Sequence, residues 1–136
     1  CACTMNSILK QFIKHLTVGE NEVVLLDMEA GVEHFGRGVD NSVDLILMIV
    51  DPSFESLKLT KKIQQLGESI GKTVFFVLNK VNGQILPTML ESIDDQSKVL
   101  AVISTDTEIA RKGLLGDELM MEIPEIHTLA RKILKQ

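Results

Sequence analysis

The sequence predicts an α/β domain in which a parallel sheet carries helices on both faces. Amphipathic helical patterns alternate along the chain with short β-prone apolar runs, at residues 22–28, 44–50, 73–78 and 99–103. Apolar and polar residues do not alternate within these runs, so each strand is expected to be covered on both faces. That pattern is typical of parallel sheets sandwiched between helices. No internal repeat or low-complexity linker divides the 136 residues, so we expect one domain over 1–136.

Helices are expected between these strands. The spacing of apolar residues predicts a first helix over about residues 6–17. Asp51 and Pro52 predict the start of a second, as an N-cap followed by proline at the first helical position, and Gly71 predicts its end. Further helices are predicted over residues 86–93, 105–112 and 124–135.

The composition limits the classes of partner. Apolar residues make up 45% of the chain and charged residues 24%, as in folded soluble domains. A net charge of −5 and the absence of a basic stripe argue against a nucleic acid partner. The longest apolar run, residues 45–50, is too short to cross a bilayer, and we expect no signal peptide. We therefore expect a cytoplasmic protein without a membrane partner.

Polar residues follow the predicted strands, where open parallel sheets bind their ligands. Asp27 ends the first run, and Gly31 follows four residues later. In P-loop proteins an Asp so placed orients magnesium, and the Gly amide reaches the terminal phosphate. Asp51 and Asp106 follow two other runs, and their alternative role is to cap strands and helices.

The residues after the third run, Asn79-Lys80-Val81-Asn82, resemble the base-reading Asn-Lys-x-Asp of GTPases. Asn82 stands where an Asp would accept hydrogen bonds from guanine, and an amide replaces that Asp poorly. The pattern therefore favours adenine over guanine. Its alternative is a turn at the end of a strand.

Cys1 and Cys3 are the only cysteines, and their spacing is typical of metal or redox use in a reducing compartment. Two thiolates do not complete a tetrahedral site. A second copy related by a two-fold axis would supply the other two, giving a site for zinc or another thiophilic metal. The alternative is a pair of small apolar thiols before a helix.

A phosphate-binding loop of the form G-x-x-x-x-G-K-[ST] does not occur in these 136 residues. Without its amides and its lysine, the β- and γ-phosphates of a nucleotide have no cradle. We therefore expect that this chain alone does not hydrolyse nucleotide.

Taken together, these motifs resemble the CooC-type carbon monoxide dehydrogenase accessory ATPases, which belong with the MinD, ParA and nitrogenase iron protein group of deviant P-loop ATPases. The resemblance covers essentially the whole chain. It rests on Cys1-Ala2-Cys3, on the stretch from Asp27-Met28-Glu29-Ala30-Gly31 to Gly36-Arg37-Gly38, on Val50-Asp51-Pro52-Ser53 and on Leu78-Asn79-Lys80-Val81.

This resemblance implies the C-terminal portion of an ATPase domain whose members dimerise around ATP, bind a metal through the C-x-C and support nickel insertion into carbon monoxide dehydrogenase. It implies that Asp27 and Gly31 serve the magnesium and γ-phosphate, as catalytic residues. Zinc or nickel would bind Cys1 and Cys3 at the interface of a homodimer.

The resemblance also implies a set of residues around the base. Asn79 matches the adenine-side residue, and Lys80 follows it. Ser104 and Asp106 lie in the loop beside the adenine, where the family usually has Pro at the position of Ser104. At that position the chain departs from the family pattern.

Two other functions fit parts of the pattern. In a receiver-like signalling domain, Asp27 would accept a phosphoryl group and Lys80 would pair with it. That reading needs an acidic pair after an earlier strand, whereas this chain begins with a helical pattern. A partner-binding scaffold without catalysis is the third possibility.

Overall fold

The structure is a computed structural model and describes residues 11–13, 15–20, 22–28 and 43–135. Three strands, β1 (Ile46–Val50), β2 (Val74–Val81) and β3 (Val99–Ser104), form one sheet in the order β1-β2-β3. Both pairings are parallel. The predicted parallel sheet is thus confirmed for three of its strands.

Helices cover both faces of this sheet, as predicted. Phe76 and Leu78 of β2 are fully buried on the face covered by the first two helices. Val77 points to the other face, where it packs in a second cluster with Leu129 of the last helix. From residue 43 onwards the α-helices are α1 (Phe54–Ser69), α2 (Leu86–Glu91), α3 (Thr107–Leu115) and α4 (Pro124–Ile133).

The predicted first helix lies only partly among the described residues. Residues 11–13 and 15 are helical, and Ile13 is buried. Over the residues that the structure describes, no helix is both long enough and apolar enough to cross a membrane.

The prediction of a strand over residues 22–28, the first apolar run of the sequence, is wrong. This segment has no strand structure, and Val23 and Leu25 are 65% and 84% exposed. Its β-prone apolar run favours an extended chain, but a strand forms only where a neighbouring strand satisfies its backbone groups. The composition of the run does not identify such a neighbour.

The predicted start of α1 is also corrected. Its N-cap is Ser53, which has an extended backbone and whose Oγ accepts the Ser56 N–H at 3.2 Å. Pro52 therefore precedes the cap, and Asp51 lies outside the helix. The carboxylate of Asp51 is engaged by side chains of β2 instead.

The predicted end of α1 at Gly71 is confirmed. Gly71 has φ +68°, the left-handed conformation that a glycine adopts at low cost. The Lys72 N–H then reaches the Gly67 carbonyl at 2.9 Å, and the Gly71 N–H reaches the Glu68 carbonyl at 3.1 Å. These two bonds form a Schellman motif, which satisfies the last carbonyls of the helix.

Candidate functional site

The carboxyl ends of β1 and β2 bring Asp51 together with two adjacent side chains that lie 28 and 29 residues further along the chain. The Asn79 Nδ2 donates to Asp51 Oδ1 at 3.0 Å. The Lys80 ammonium pairs with the other oxygen, Asp51 Oδ2, at 2.5 Å. Asp51 therefore divides its two carboxylate oxygens between an amide and a cation.

A bulge in β2 makes this arrangement possible. Successive side chains of a regular strand point to opposite faces, so neighbours do not normally reach one group. Between Leu78 and Val81 the register with β3 shifts, because these residues pair with Val102 and Ser104. The extra residue lies on β2, and Lys80 has φ 55°, a conformation uncommon for a residue with a side chain.

The turn that carries Asp51 is held by backbone hydrogen bonds. The Asp51 N–H donates to Ser56 Oγ at 3.1 Å, and the Ser53 N–H donates to the Asp51 carbonyl at 2.8 Å. The first contact ties the end of β1 to the first turn of α1, and the second closes the turn between Asp51 and the N-cap. The carboxylate is therefore presented from a fixed backbone.

The contacts of this cluster orient the Asn79 amide but add little to the stability of the fold. The side chains of Asp51 and Lys80 are 40% and 62% exposed, and an ion pair so exposed contributes only about 0–1 kcal/mol. Asn79 is partly buried beside them. Among the described residues, nothing donates a hydrogen bond to Asn79 Oδ1. An oriented amide oxygen is thus left as an acceptor at the edge of the sheet.

The end of β3 lies next to this cluster. The Thr105 N–H donates to the Val81 carbonyl at 2.9 Å, and Ser104 pairs with Val81. Ser104 is exposed at the end of its strand. The loop that follows β3 is therefore attached to the end of β2.

Asp106 in this loop has a structural role. Its Oδ1 accepts the N–H groups of Glu108 and Ile109 at 2.7 and 3.0 Å, so it is the N-cap of α3. This is the capping alternative of the sequence analysis. One oxygen of the carboxylate is thereby committed to the helix.

Asn82, the residue in the position of a guanine-reading Asp, is also engaged locally. Its Oδ1 accepts from the Gln84 and Ile85 N–H groups at 3.0 and 3.1 Å. These bonds shape the turn that leads into α2. The side-chain oxygen is accordingly used by the backbone.

Of the remaining predicted site residues the structure describes Asp27, which makes no contact with this cluster. Asp27 is exposed in the segment without strand structure, and among the described residues it makes no hydrogen bond or ion pair. Gly31, Cys1 and Cys3 lie outside the described residues. Within the described ranges, no group of three or more His, Cys, Asp and Glu side chains is arranged to hold a metal ion.

Asp51 is the member of the cluster that the sequence analysis predicted to be the N-cap of a helix. The Asp-Pro pattern indicated a helix cap, and its contacts come from residues 28 and 29 positions away. The useful signal was its place directly after a strand that neighbours the strand of Asn79. The pairing also bears on the receiver-like alternative, because the Lys80 ammonium pairs with Asp51 and not with Asp27.

Hollows in the surface lie elsewhere. One of about 280 Å³ lies between β3 and α4, and another of about 380 Å³ lies beside residues 11, 12 and 15–17. Neither is lined by Asp51, Asn79 or Lys80. The cluster lies apart from both hollows, with the side chains of Asp51 and Lys80 partly exposed at the edge of the sheet.

Comparison with known proteins identifies relatives that match most of this chain. The chain is 44% identical over 135 residues to an uncharacterized ATP-binding protein of Methanocaldococcus jannaschii, and the match covers 99% of this chain and 54% of that protein. This identity over nearly the whole chain shows that the two proteins are homologous. A second uncharacterized ATP-binding protein of that organism is 32% identical over 125 residues, covering 90% of this chain and 49% of the relative.

The carbon monoxide dehydrogenase accessory protein CooC of Rhodospirillum rubrum is another relative. It is 33% identical over 117 residues, which are 85% of this chain and 44% of that protein. The chain thus spans about half the length of the curated relatives it matches. No protein-family model matches it.

Proposed function

We propose that this chain is the C-terminal, base-binding portion of an ATP-dependent metallocentre maturation factor. The observation that carries the proposal is the oriented Asn79 amide at the carboxyl edge of the sheet. It is supported by the 44% identity, over 99% of this chain, to a protein named as ATP-binding. Carboxyl edges are where open parallel sheets bind ligands.

In this proposal Asn79 and Lys80 contact the adenine side of ATP. Ser104 and Asp106 contribute the neighbouring loop, which the Thr105–Val81 hydrogen bond holds beside the end of β2. Because one oxygen of Asp106 caps α3, its contribution to the nucleotide is limited to the other oxygen. The loop therefore shapes the site more than it binds within it.

The phosphate side of the site is proposed from the family resemblance alone. Asp27 would orient Mg²⁺ and the Gly31 amide would reach the γ-phosphate. The 136 residues contain no phosphate-binding loop, so this chain is expected to bind ATP weakly and not to turn it over. The catalytic power of the maturation factor would need that loop.

The metal function rests on the CooC relative. Two copies of the chain would hold zinc or nickel between paired Cys1 and Cys3 and would support nickel insertion into carbon monoxide dehydrogenase or a similar nickel enzyme. In the cytoplasm, where thiols stay reduced, these cysteines would be free to bind metal. No nucleic acid or membrane is part of the proposal.

Nuclear magnetic resonance titration of the isolated chain tests nucleotide binding. Millimolar ATP is expected to shift the amide signals of Asn79, Lys80 and Ser104, with a dissociation constant in the weak range of about 1 mM or somewhat below. The absence of any shift at these positions would contradict the proposal. Micromolar affinity, with hydrolysis that is lost in Asp27→Asn, would show that this chain needs no phosphate-binding loop.

A further inference from the structure

We propose that Asp51 is a positioning residue that makes this site select nucleotides with an amino group at position 6 of the purine. The inference rests on the proposed function, since it concerns the base that Asn79 contacts. It starts from one geometric fact: Asp51 Oδ1 lies 3.0 Å from Asn79 Nδ2.

The carboxylate dictates which way the Asn79 amide points. An ionised carboxylate only accepts hydrogen bonds, whereas an Asn amide has a donor end and an acceptor end. Turning the amide oxygen towards Asp51 would place two acceptors against each other. The NH₂ end therefore faces Asp51, and Oδ1 is the end left for a ligand.

Lys80 prevents the carboxylate from reorganising. Its ammonium pairs with one carboxylate oxygen, Oδ2, while the other oxygen faces Asn79, so the carboxylate has a partner on each side. The left-handed backbone of Lys80, at φ 55°, brings this cation to the same carboxylate as its neighbour Asn79. An uncommon backbone conformation is thus used to complete the orienting group.

The consequence is a site that discriminates at one position of the base. The exocyclic amino group of adenine donates a hydrogen bond, whereas the 6-oxo group of guanine or hypoxanthine accepts one. Asn79 Oδ1 satisfies the amino group and opposes the oxo group. Asp51 would set this preference without touching the nucleotide.

The test compares ATP with inosine triphosphate, because hypoxanthine carries an oxo group in place of the adenine amino group and lacks the 2-amino group of guanine. The wild-type chain is expected to bind ATP about tenfold more tightly, as an unpaired acceptor costs about that factor. Dissociation constants would come from resonance titration of Asn79 and its neighbours. Wild-type binding of neither nucleotide would overturn the proposed function, and this inference with it.

The deciding variant is Asp51→Asn. Lys80 has only donors, so it will hold the new amide oxygen, and the new NH₂ will face Asn79. That NH₂ turns the Asn79 amide round, and the preference for ATP should fall to parity or invert. Asp51→Ala, which removes the orienting group and supplies none, should bring the two affinities to parity.

Asp94→Asn is the matched control. Asp94 also pairs with a lysine, Lys61 at 3.4 Å, and both side chains are 61% exposed. It belongs to no part of the proposed site, so its substitution should leave the ratio of affinities unchanged. A wild-type chain that prefers ATP, with Asp51→Asn and Asp51→Ala variants that fold and keep the same preference, would overturn the role of Asp51 and leave the proposed function standing.

Discussion

Gly67 in the last turn of α1 lies directly against Val74, the first residue of β2. A Cβ atom placed on Gly67 would stand 2.3 Å from Val74 Cγ2 and 3.0 Å from the Lys72 carbonyl oxygen. Both residues are buried, at the point where α1 ends and the chain turns into the sheet. The absence of a side chain at Gly67 therefore sets how closely α1 packs on β2.

Gly67→Ala is expected to destabilise the fold. Overpacking of this kind typically costs about 1–3 kcal/mol, and the better helix propensity of alanine returns only about 1 kcal/mol. Urea unfolding followed by circular dichroism would give the difference in the free energy of unfolding. An unchanged or higher stability would mean that α1 can move away from β2 at no cost.

Gly113→Ala is the control for this substitution. Gly113 is also inside a helix, α3, but a Cβ placed there meets nothing within 4 Å. Alanine should raise the stability by about 0.5–1 kcal/mol through helix propensity alone. Opposite signs at the two glycines would separate packing from propensity.

The sheet could be predicted from the sequence because buried parallel strands carry a strong local signal. The predicted runs 44–50, 73–78 and 99–103 became Ile46–Val50, Val74–Val81 and Val99–Ser104. Each is an apolar run bounded by polar turns, and each pairs with a neighbouring strand. The run at 22–28 contains a similar apolar stretch, Val23 to Leu26, but it forms no strand, because strand pairing depends on two segments and not on one.

The cluster at the carboxyl edge could be predicted only in part. Asn79 and Lys80 were recognised from their place after a strand. Their joint contact with Asp51 depends on the bulge in β2 and on the left-handed backbone of Lys80. Neither a bulge nor a positive φ at a lysine has a sequence signature, since glycine or asparagine is usual there.

Asp95 provides a test of the local electrostatics. Hydrogen bonds from the Ser97 hydroxyl at 2.6 Å and the Ser97 N–H at 3.0 Å lower the pKa of its carboxyl below the usual range. A lowered pKa in the folded state means that this contribution to stability is present above about pH 4 and is lost as the pH falls through the lowered value. Ser97→Ala should raise the pKa of Asp95 towards its ordinary value.

Carbon-detected resonance titration of the Asp95 carboxyl would measure this change. Ser69→Ala is a suitable control, because the Ser69 hydroxyl donates to the Leu66 carbonyl within α1 and not to Asp95. If Ser97→Ala and Ser69→Ala gave the same Asp95 pKa, the Ser97 hydroxyl would have no part in it.

Metal content tests the proposed role of the two cysteines. Cys1→Ser/Cys3→Ser should abolish bound zinc or nickel, because a serine hydroxyl is a much poorer ligand than a thiolate for such metals. Elemental analysis after exhaustive dialysis, expressed per dimer, is the measurement. His127→Gln, which removes an exposed imidazole near Glu122, should leave the metal content unchanged. Metal that survives the double cysteine substitution would place the ligands elsewhere.

The free edge of β1 predicts self-association. Within the described part of the chain β1 pairs only with β2, so the backbone N–H and C=O groups along its other edge have no strand partner. Ile49 on this strand is 50% exposed, and Val23 and Leu25 of the segment without strand structure are more exposed still. Unprotected edges of this kind pair readily with other chains, so light scattering should report oligomers of the isolated chain.

Ile49→Lys should shift the distribution of oligomers towards monomer, because a charged side chain on an edge strand opposes pairing. Leu114→Lys removes a side chain that is 86% exposed but lies on α3, away from this edge. If only Leu114→Lys reduced association, the chains would associate through α3 and not through β1. If the unsubstituted chain stayed monomeric at high concentration, the edge of β1 would be protected in solution.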